Sequence, residues 1–280
     1  MDKIKKRIMD LPPLSTIINE YQLIPRRALG QNFIFDINLT RKIARAADPL
    51  HNGTVLEIGP GPGGLTRALI LEGASNLIAI EKDKRAVKAL SELERITAPI
   101  LTIVNDDALK LPLQNLGHSP RQIVANLPYN ISTRLILDWL QSPNSFSVIT
   151  VMVQKEVANR LCAKPGDPNY GRLAVIVRWL AEPKLLFEVS PNAFIPKPKV
   201  TSAIVQIRPR SKPLVDADKN ILELITAAAF GQRRKMLRSS LRPLGGTGLL
   251  EKANIKPTER PENLSIQDFC NLANIYKKEH

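Results

Sequence analysis

The chain has few of the residues on which disulfide, metal and acid–base chemistry usually depend. Cysteine occurs only at Cys162 and Cys270, far apart and outside any Cys-x-x-Cys or Cys/His cluster. This excludes a disulfide framework and a cysteine-based zinc site, and we expect no metal cofactor. The histidines, His51, His118 and His280, are scattered next to predicted loops or at the last position. We therefore expect chemistry that proceeds without a histidine general base.

Long apolar runs and an excess of acidic residues are also missing. No run approaches the roughly 18 apolar residues of a spanning helix, and residues 1–7 alternate charges without the apolar stretch of a secretory segment. We therefore expect a cytoplasmic protein with no membrane partner. We also expect a monomer, although no residue pattern in the sequence indicates its oligomeric state. Lysine and arginine outnumber aspartate and glutamate by 40 to 26, which gives a formal net charge of +14. That excess favours a polyanionic partner, nucleic acid first, with an acidic membrane surface as the alternative on charge alone.

A glycine-rich turn follows the first predicted strand of the chain's central part. Residues 55–58 form a short apolar run typical of a buried strand, and residues 65–71 have helical spacing. Gly59, Gly61 and Gly64 therefore lie at a strand-to-helix turn and satisfy the dinucleotide fingerprint. The alternative interpretation is a tight turn that holds no ligand.

Glu81 comes at about the distance from this turn that is expected of a ribose-binding acid. It ends a second apolar run, 77–80, which also predicts a buried strand. A carboxylate at that position can accept hydrogen bonds from both hydroxyls of a ribose. The alternative is an ordinary solvated charge.

Strands and helices alternate through the rest of this part of the chain. The predicted helices are 84–93, 133–140 and 155–161, and the further predicted strands are 100–104, 123–125 and 148–153. This order implies right-handed crossovers and a mostly parallel, doubly wound sheet, whose ligands bind beyond the carboxyl ends of the strands. Gly59, Glu81, the pair Asp106 and Asp107, and Asn126 all follow predicted strands. We expect these segments to deliver polar groups to one edge of the sheet.

The turn that begins at Asn126 can bind a planar amino group. The side-chain oxygen of Asn126 and the carbonyl of Leu127, held outward by Pro128, can each accept one N–H of a bound amine, and Tyr129 offers a ring for a base to stack on. Both acceptors gain strength as positive charge develops on the nitrogen. A matching electrophile is a methyl group on a sulfonium. A plain turn after a strand is the alternative.

The remaining segments are predicted as follows. Asp36 or Asn38 caps a helix over 39–47, residues 173–180, 184–189 and 202–207 form strands, residues 191–200 are irregular, and residues 221–241 and 266–276 are helical. A basic arm and a short helix occupy residues 1–29, a large domain occupies 30–212, and a small helical domain occupies 213–280.

The run from 231 to 242 has cations but no acid. This pattern favours RNA phosphate binding by Arg233, Arg234, Lys235 and Arg238 over a merely solvated helix face.

Several motifs together resemble the ribosomal RNA adenine N6-dimethyltransferases of the KsgA type, with relatives among the Erm resistance methyltransferases and the mitochondrial transcription factors. The motifs are Gly30-Gln31-Asn32-Phe33, Glu57-Ile58-Gly59-Pro60-Gly61, Asp107-Ala108-Leu109, Asn126-Leu127-Pro128-Tyr129, Gln154-Lys155-Glu156-Val157, Tyr170-Gly171-Arg172-Leu173, residues 194–202 and Gln232-Arg233-Arg234-Lys235. The resemblance covers nearly the whole chain. The segment before Arg26 is longer than in the shortest family members, and its role is open.

The resemblance implies a Rossmann-like class I methyltransferase fold with a small C-terminal helical domain and S-adenosyl-L-methionine as cofactor. It implies dimethylation of two adjacent adenines in the 3′-terminal hairpin of 16S rRNA within the small ribosomal subunit. The residues that it assigns to the cofactor are Asn32, Ile34, Gly59, Gly61, Glu81, Asp107 rather than Asp106, and Asn126. Those that it assigns to catalysis are Asn126, Leu127, Pro128, Tyr129 and Phe194, with the flipped base between the last two rings.

Two other functions are compatible with the same residues. One is methylation of another planar nitrogen, in DNA adenine, 23S rRNA adenine or a glutamine amide. The other is a non-enzymatic role as an assembly checkpoint or transcription factor, in which binding matters and methylation does not.

Overall fold

A computed structural model describes residues 2–23, 32–142 and 144–280. Arg26 and Arg27 of the predicted basic arm, and Gly30 and Gln31 of the first motif, lie outside these ranges. The chain divides into two compact units. Unit 1 comprises Met1–Ala158 and Lys184–Pro209, and unit 2 comprises Asn159–Pro183 and Arg210–His280.

The strands have the following bounds: β1 Phe33–Ile34, β2 Thr54–Ile58, β3 Leu77–Ile80, β4 Leu101–Val104, β5 Arg121–Asn126, β6 Val148–Gln154, β7 Ala181–Val189, β8 Phe194–Ile195 and β9 Ser202–Pro209. Seven of them form a sheet in the order β4-β3-β2-β5-β6-β9-β7. Strands β2 to β6 pair in parallel, whereas β9 pairs antiparallel with β6. The mostly parallel, doubly wound sheet that the sequence predicts is confirmed.

The helices are α1 Asp2–Met9, α2 Leu14–Glu20, α3 Ile37–Ala46, α4 Gly64–Leu71, α5 Lys84–Thr97, α6 Ser132–Trp139, α7 Lys155–Cys162, α8 Arg172–Leu180, α9 Lys219–Gly231, α10 Leu237–Ser240, α11 Gly246–Lys252 and α12 Ile266–Glu279. Asp36, and not Asn38, caps α3, because its carboxylate accepts from the backbone N–H groups of Asn38 at 2.8 Å and Leu39 at 3.3 Å.

The two central strands β2 and β3 are buried along their whole length. This explains their nearly continuous apolar sequence, since a parallel strand is covered on both faces. The ladder continues past the carboxyl ends, where Gly59 N–H donates to Ile80 O at 2.9 Å and Glu81 N–H donates to Val104 O at 3.0 Å. The glycine turn and Glu81 are therefore placed by the sheet itself.

A second, two-stranded sheet joins β1 to β8, with Phe33 opposite Ile195 and Ile34 opposite Phe194. The prediction that residues 191–200 are irregular is wrong at Phe194 and Ile195. The prolines flank this short strand and do not interrupt it, so its backbone remains available for pairing.

The predicted strand over 173–180 is wrong, because these residues form helix α8. A short apolar run indicates burial but does not distinguish a buried strand from a buried helix. Helix α8 packs against α9 in unit 2, and for this reason unit 2 includes Asn159–Pro183, which the predicted boundary at 212 assigned to the large domain.

The predicted single helix over 221–241 is also wrong. Helix α9 ends at Gly231, residues 232–236 form a turn, and α10 begins at Leu237. The new helix starts where Leu237 N–H donates to Glu259 O at 2.8 Å and Arg238 N–H donates to Pro257 O at 3.1 Å. These bonds use backbone N–H groups that a continuous helix would have bonded internally.

The predicted basic arm contains a helix from its second residue onward. Helix α1 buries Ile8, and helix α2 buries Leu14 and Ile17. Both helices lie in unit 1.

Candidate active site

One cavity of unit 1 lies at the carboxyl ends of β2, β3 and β5 and beside β1. Its lining includes all seven residues predicted to bind a cofactor: Asn32, Ile34, Gly59, Gly61, Glu81, Asp107 and Asn126. The prediction that these segments bring polar groups together at one edge of the sheet is therefore confirmed. The role of each residue stays a prediction.

The glycine turn passes through left-handed backbone conformations, with φ of +68° at Gly59 and +55° at Gly61. A Cβ added at Gly59 would meet nothing within 4 Å, so the backbone there borders open space. A Cβ at Gly61 would instead lie 3.0 Å from the ring of Phe33. Gly59 is needed for its backbone conformation. Gly61 is needed for the same reason and also because a side chain there would crowd the ring of Phe33.

Glu81 is fixed by the turn that it faces. Its Oε2 accepts from Gly61 N–H at 3.0 Å, and its Oε1 accepts from Asp83 N–H at 2.8 Å. Burial raises the pKa of Glu81, while these two backbone donors act against the rise. Glu81 therefore holds Gly61 in place as well as lining the cavity.

Glu57 is a cavity-lining carboxylate that the sequence analysis did not single out as a site residue. It lies in the middle of β2, only 1% exposed, and neither oxygen has a hydrogen-bond partner among the described residues. Burial raises the pKa of Glu57 from 4.5 to about 8, with the nearby hydroxyl of Thr66 lowering it and the charge of Glu81 raising it further. The available signal was an acid within an otherwise apolar strand, because a buried acid without a partner is costly.

Asp107 ends the cavity on the side of β4. Its Oδ2 accepts from Lys82 Nζ at 2.8 Å, and its Oδ1 accepts from Leu109 N–H at 3.1 Å. The Lys82 ammonium, followed by the Leu109 amide, holds the pKa of this carboxyl below its usual range. Lys82 also lines the cavity, and nothing in its sequence position distinguished it from a solvated lysine.

Asn126 is held by a hydrogen bond to the residue before β1. Its side-chain Nδ2 donates to the backbone carbonyl of Asn32 at 3.0 Å, which makes Oδ1 the acceptor end of the amide. Asn126 lines the cavity, whereas Leu127 is only 2% exposed and its N–H donates to Met152 O at 3.3 Å. The side chain of Asn126 is therefore the acceptor of this turn that lies at the cavity.

The other predicted catalytic residues lie around this turn in different environments. Pro128 lines the cavity with Asn126, whereas Leu127, Tyr129 and Phe194 do not. Tyr129 is held by a 2.6 Å hydrogen bond between its hydroxyl and that of Ser202, a buried residue for which the sequence analysis suggested no role. Phe194 is only 2% exposed, so its ring can meet a base only if the surrounding residues move.

The four predicted RNA-binding residues lie in unit 2. Arg233, Arg234 and Lys235 lie in the turn after α9, Arg238 lies in α10, and all four are exposed. Within the described part of the chain none of them makes an ion pair. They present free cations from a turn and a short helix, and not from the one helix face that the sequence predicted.

The three histidines lie away from the cavity. His118 lies beside Asn76, and His280 stacks on Tyr276 with ring centroids 4.2 Å apart. Among the described residues, no group of three or more His, Cys, Asp or Glu side chains is arranged to hold a metal ion. None of the helices in those ranges has the length and hydropathy needed to cross a bilayer.

Residues 24–278 match the model of the ribosomal RNA adenine dimethylase family. The chain belongs to the ribosomal RNA adenine dimethylase family. It is 50% identical over 264 residues to ribosomal RNA small subunit methyltransferase A of Rhodospirillum rubrum, covering 94% of this chain and 92% of the relative. It is 52% identical over 265 residues to the protein of the same name from Paramagnetospirillum magneticum, covering 94% of each.

Solved structures agree with this family assignment. A dimethyladenosine transferase from Plasmodium falciparum superposes with a TM-score of 0.76 at 26% identity, covering 88% of this chain and 98% of the other. The 23S rRNA methyltransferase ErmE superposes with a TM-score of 0.66 at 27% identity, covering 88% of this chain and all of the other, 100%. The dimethylase thus has the Rossmann-like class I methyltransferase fold that the resemblance implied.

Proposed function

We propose that this dimethylase transfers methyl groups from S-adenosyl-L-methionine to the N6 amines of two adjacent adenines in the 3′-terminal hairpin of 16S rRNA. It would act in the cytoplasm during assembly of the small ribosomal subunit. The names of relatives at about half identity support the small subunit as substrate, and a net charge of +14 supports a polyanionic partner. The observation that carries the proposal is that Asn126 and Pro128 line the same cavity as Gly59, Glu81 and Asp107.

The cavity fits the cofactor that the family implies. S-adenosyl-L-methionine, when bound, supplies a methyl group on a positively charged sulfur together with a nucleoside and an amino acid. The buried Glu57 carboxyl, which has no hydrogen-bond partner among the described residues, lines the cavity, and a cationic group bound beside it would favour its ionised form. Gly59 leaves its backbone open to close approach, and Glu81 and Asp107 offer carboxylate oxygens to hydroxyl and amino donors.

The turn 126–129 is suited to activate an exocyclic amine. The nitrogen lone pair of adenine N6 is delocalised into the ring, so the amine must become pyramidal before it can attack. Two neutral oxygens, one on each N–H, favour the pyramidal nitrogen and stabilise the positive charge that grows on it. The bond from Asn126 Nδ2 to Asn32 O directs Oδ1 as acceptor. The amine proton then leaves to solvent, and no histidine takes part.

Binding of the RNA itself is assigned to exposed cations. Arg233, Arg234, Lys235 and Arg238 are exposed and make no ion pair with any described residue, and guanidinium groups match phosphate oxygens in geometry. Contacts of this kind position the RNA but do not read its sequence. The monomeric state stays a prediction.

The decisive test is methyl transfer to unmodified small subunits by Asn126→Ala, with Asn130→Ala as control. Both residues line the cavity, and the side chain of Asn126 is the one oriented by the hydrogen bond from Nδ2 to Asn32 O and assigned to the amine. We expect Asn126→Ala to lower the rate at saturating cofactor by about a hundredfold or more, while binding of S-adenosylhomocysteine is weakened but still measurable, because Asn126 is also assigned to the cofactor. Asn130→Ala should stay within about tenfold of wild type. Equal rates for Asn126→Ala and wild type would refute the role of the amide.

The product identifies the substrate. Mass analysis of nucleosides from treated small subunits should show dimethyladenosine at two adjacent positions. Transfer to 23S rRNA or duplex DNA in preference to small subunits would instead favour another planar nitrogen, as the likeness to ErmE allows. A cellular defect that is rescued by Asn126→Ala, but not by Arg233→Glu with Arg234→Glu, would favour an assembly role without methylation.

A further inference from the structure

Residues 2–23 precede the part of the chain, 24–278, that matches the family model. We call this segment, which contains α1, α2 and the residues up to Leu23, the N-terminal pair. The pair buries Ile8, Leu14, Ile17 and Leu23 within unit 1. Two separate sets of contacts, which we call the apolar route and the polar route, connect the pair to residues that line the cofactor cavity.

The first route is apolar. Ile17 and Leu23 belong to one buried cluster with Phe33, Ala86 and Ala89. The ring of Phe33 lies against Gly61, where an added Cβ would come within 3.0 Å of it. The pair therefore packs behind the aromatic side chain that limits the position of the glycine turn.

The second route is polar. Arg85 Nη1 donates to the carbonyl of Gln22 at 2.7 Å, and Arg85 Nη2 donates to the Asp83 carboxylate at 2.6 Å. Asp83 N–H in turn donates to Glu81 Oε1 at 2.8 Å. One guanidinium thus links the end of the N-terminal pair to the segment that orients Glu81.

Further contacts fasten the pair to helix α4. Leu14 lies against Gly64, where an added Cβ would come within 2.9 Å of Leu14 Cδ1, and Arg67 Nη1 donates to Pro12 O at 2.9 Å. Gly64 is both the first residue of α4 and part of the cavity lining. The pair therefore also contacts the glycine turn at Gly64.

We propose that the N-terminal pair is a positioning element of the cofactor site, which sets cofactor affinity by holding Gly61 and Glu81 in their binding geometry. This inference rests on the proposed use of S-adenosyl-L-methionine. Because coupling between two equilibria is reciprocal, a pair that strengthens cofactor binding when docked is itself held more firmly when cofactor is bound. Residues 17 to 23 act through Phe33 and Arg85 and need no contact with the ligand.

The test compares Leu23→Ala with Leu113→Ala. Both leucines lie in unit 1 and are almost wholly buried, at 1% and 2% exposure, but Leu23 belongs to the buried cluster that contains Phe33 and Leu113 does not. We expect Leu23→Ala to raise the Kd of S-adenosylhomocysteine by about fivefold or more, with kcat at saturating cofactor nearly unchanged. Leu113→Ala should lower the Tm by about as much as Leu23→Ala does, because both remove a buried leucine. It should leave the Kd of S-adenosylhomocysteine within about twofold of wild type. Equal Kd values for the two variants would overturn the inference.

Arg85→Met tests the polar route without making a cavity. It removes the links to Gln22 and Asp83 and should weaken binding of S-adenosylhomocysteine, whereas Arg85→Lys should recover part of the loss. Unchanged affinity in Arg85→Met would remove this route from the proposal.

Hydrogen exchange of the full-length wild-type protein gives an independent readout. Saturating S-adenosylhomocysteine should slow exchange of the amides of α2, and exchange that is identical with and without the compound would overturn the coupling. If the wild-type protein does not bind S-adenosylhomocysteine at all, the proposed function fails. If wild type binds it and Leu23→Ala binds it equally well, only the present inference fails.

Discussion

Replacing Glu57 by Gln should change how the stability of unit 1 depends on pH. The side chain keeps its volume but loses its titratable group, and its neighbours Thr66 and Glu81 stay in place. In the folded protein burial raises the pKa of Glu57 from its ordinary 4.5 to about 8. The unfolded chain has no such burial, so its carboxyl ionises near the ordinary value.

The direction and size of the effect follow from these two values. Below pH 4.5 the carboxyl is protonated in both states. Between pH 4.5 and about 8 only the unfolded state loses the proton, so the free energy of unfolding falls as pH rises through this window. At about 1.4 kcal/mol per pH unit, the full loss by pH 8 is on the order of 5 kcal/mol. Glu57→Gln lacks this loss.

Urea unfolding of both proteins at about pH 5, 6.5 and 8 measures the difference. Trp139 lies in unit 1 and Trp179 in unit 2, so Trp179→Phe as a common background lets the remaining tryptophan report unit 1. The stability of Glu57→Gln relative to the parent should rise steadily with pH. The buried amide of the variant also lacks hydrogen-bond partners, which lowers its stability by the same amount at each pH. This constant difference does not affect the trend with pH. Parallel pH profiles of the two proteins would show that Glu57 is not buried as a protonated acid.

Three further predictions concern separate parts of the molecule. Ser202→Ala removes the 2.6 Å bond to the Tyr129 hydroxyl and should lower single-turnover methyl transfer about tenfold without weakening S-adenosylhomocysteine binding; a normal rate would show that this bond does not position the ring. Replacing Arg233 and Arg234 by Gln should weaken the salt dependence of binding to small-subunit RNA: in filter binding, the negative slope of log affinity against log salt should become shallower by roughly 1.5. The control Lys278→Gln should keep the wild-type slope. Equal slopes for wild type and both variants would exclude these arginines from phosphate contact. Asp36→Ala removes the cap of α3 and should lower the urea-unfolding free energy by about 1 kcal/mol, while Asp36→Asn should retain most of it; equal stability of Asp36→Ala and wild type would contradict the cap.

Most of the site could be predicted from the sequence because parallel strands bring their carboxyl ends together. Apolar runs located β2, β3 and β5, and polar residues directly after them had to meet at one edge. The backbone of the turn was equally predictable, since Gly59 and Gly61 adopt left-handed φ values that other residues rarely take. These are local properties, read from a few neighbouring residues.

The partners of the acidic residues could not be predicted. Glu57 and Glu81 are both buried and both line the cavity, yet Glu81 accepts two backbone N–H groups, and Glu57 accepts none from the residues that the structure describes. Lys82 meets Asp107, and Ser202 meets Tyr129, across long separations in the chain. These pairs join segments that are distant in the chain, and no sequence pattern indicates which residues will meet.

The sequence alone determined the doubly wound sheet, the glycine turn and the position of the Asn126 turn directly after β5, because strand burial and glycine conformation are encoded within each segment. Only the tertiary structure decided that residues 172–180 are a helix of unit 2, that the cations after Gly231 occupy a turn, and that the N-terminal helices pack behind Phe33. A short apolar segment shows that it must be buried but not what covers it. That choice depends on the shape of the remaining surface and is made only when the whole chain has packed.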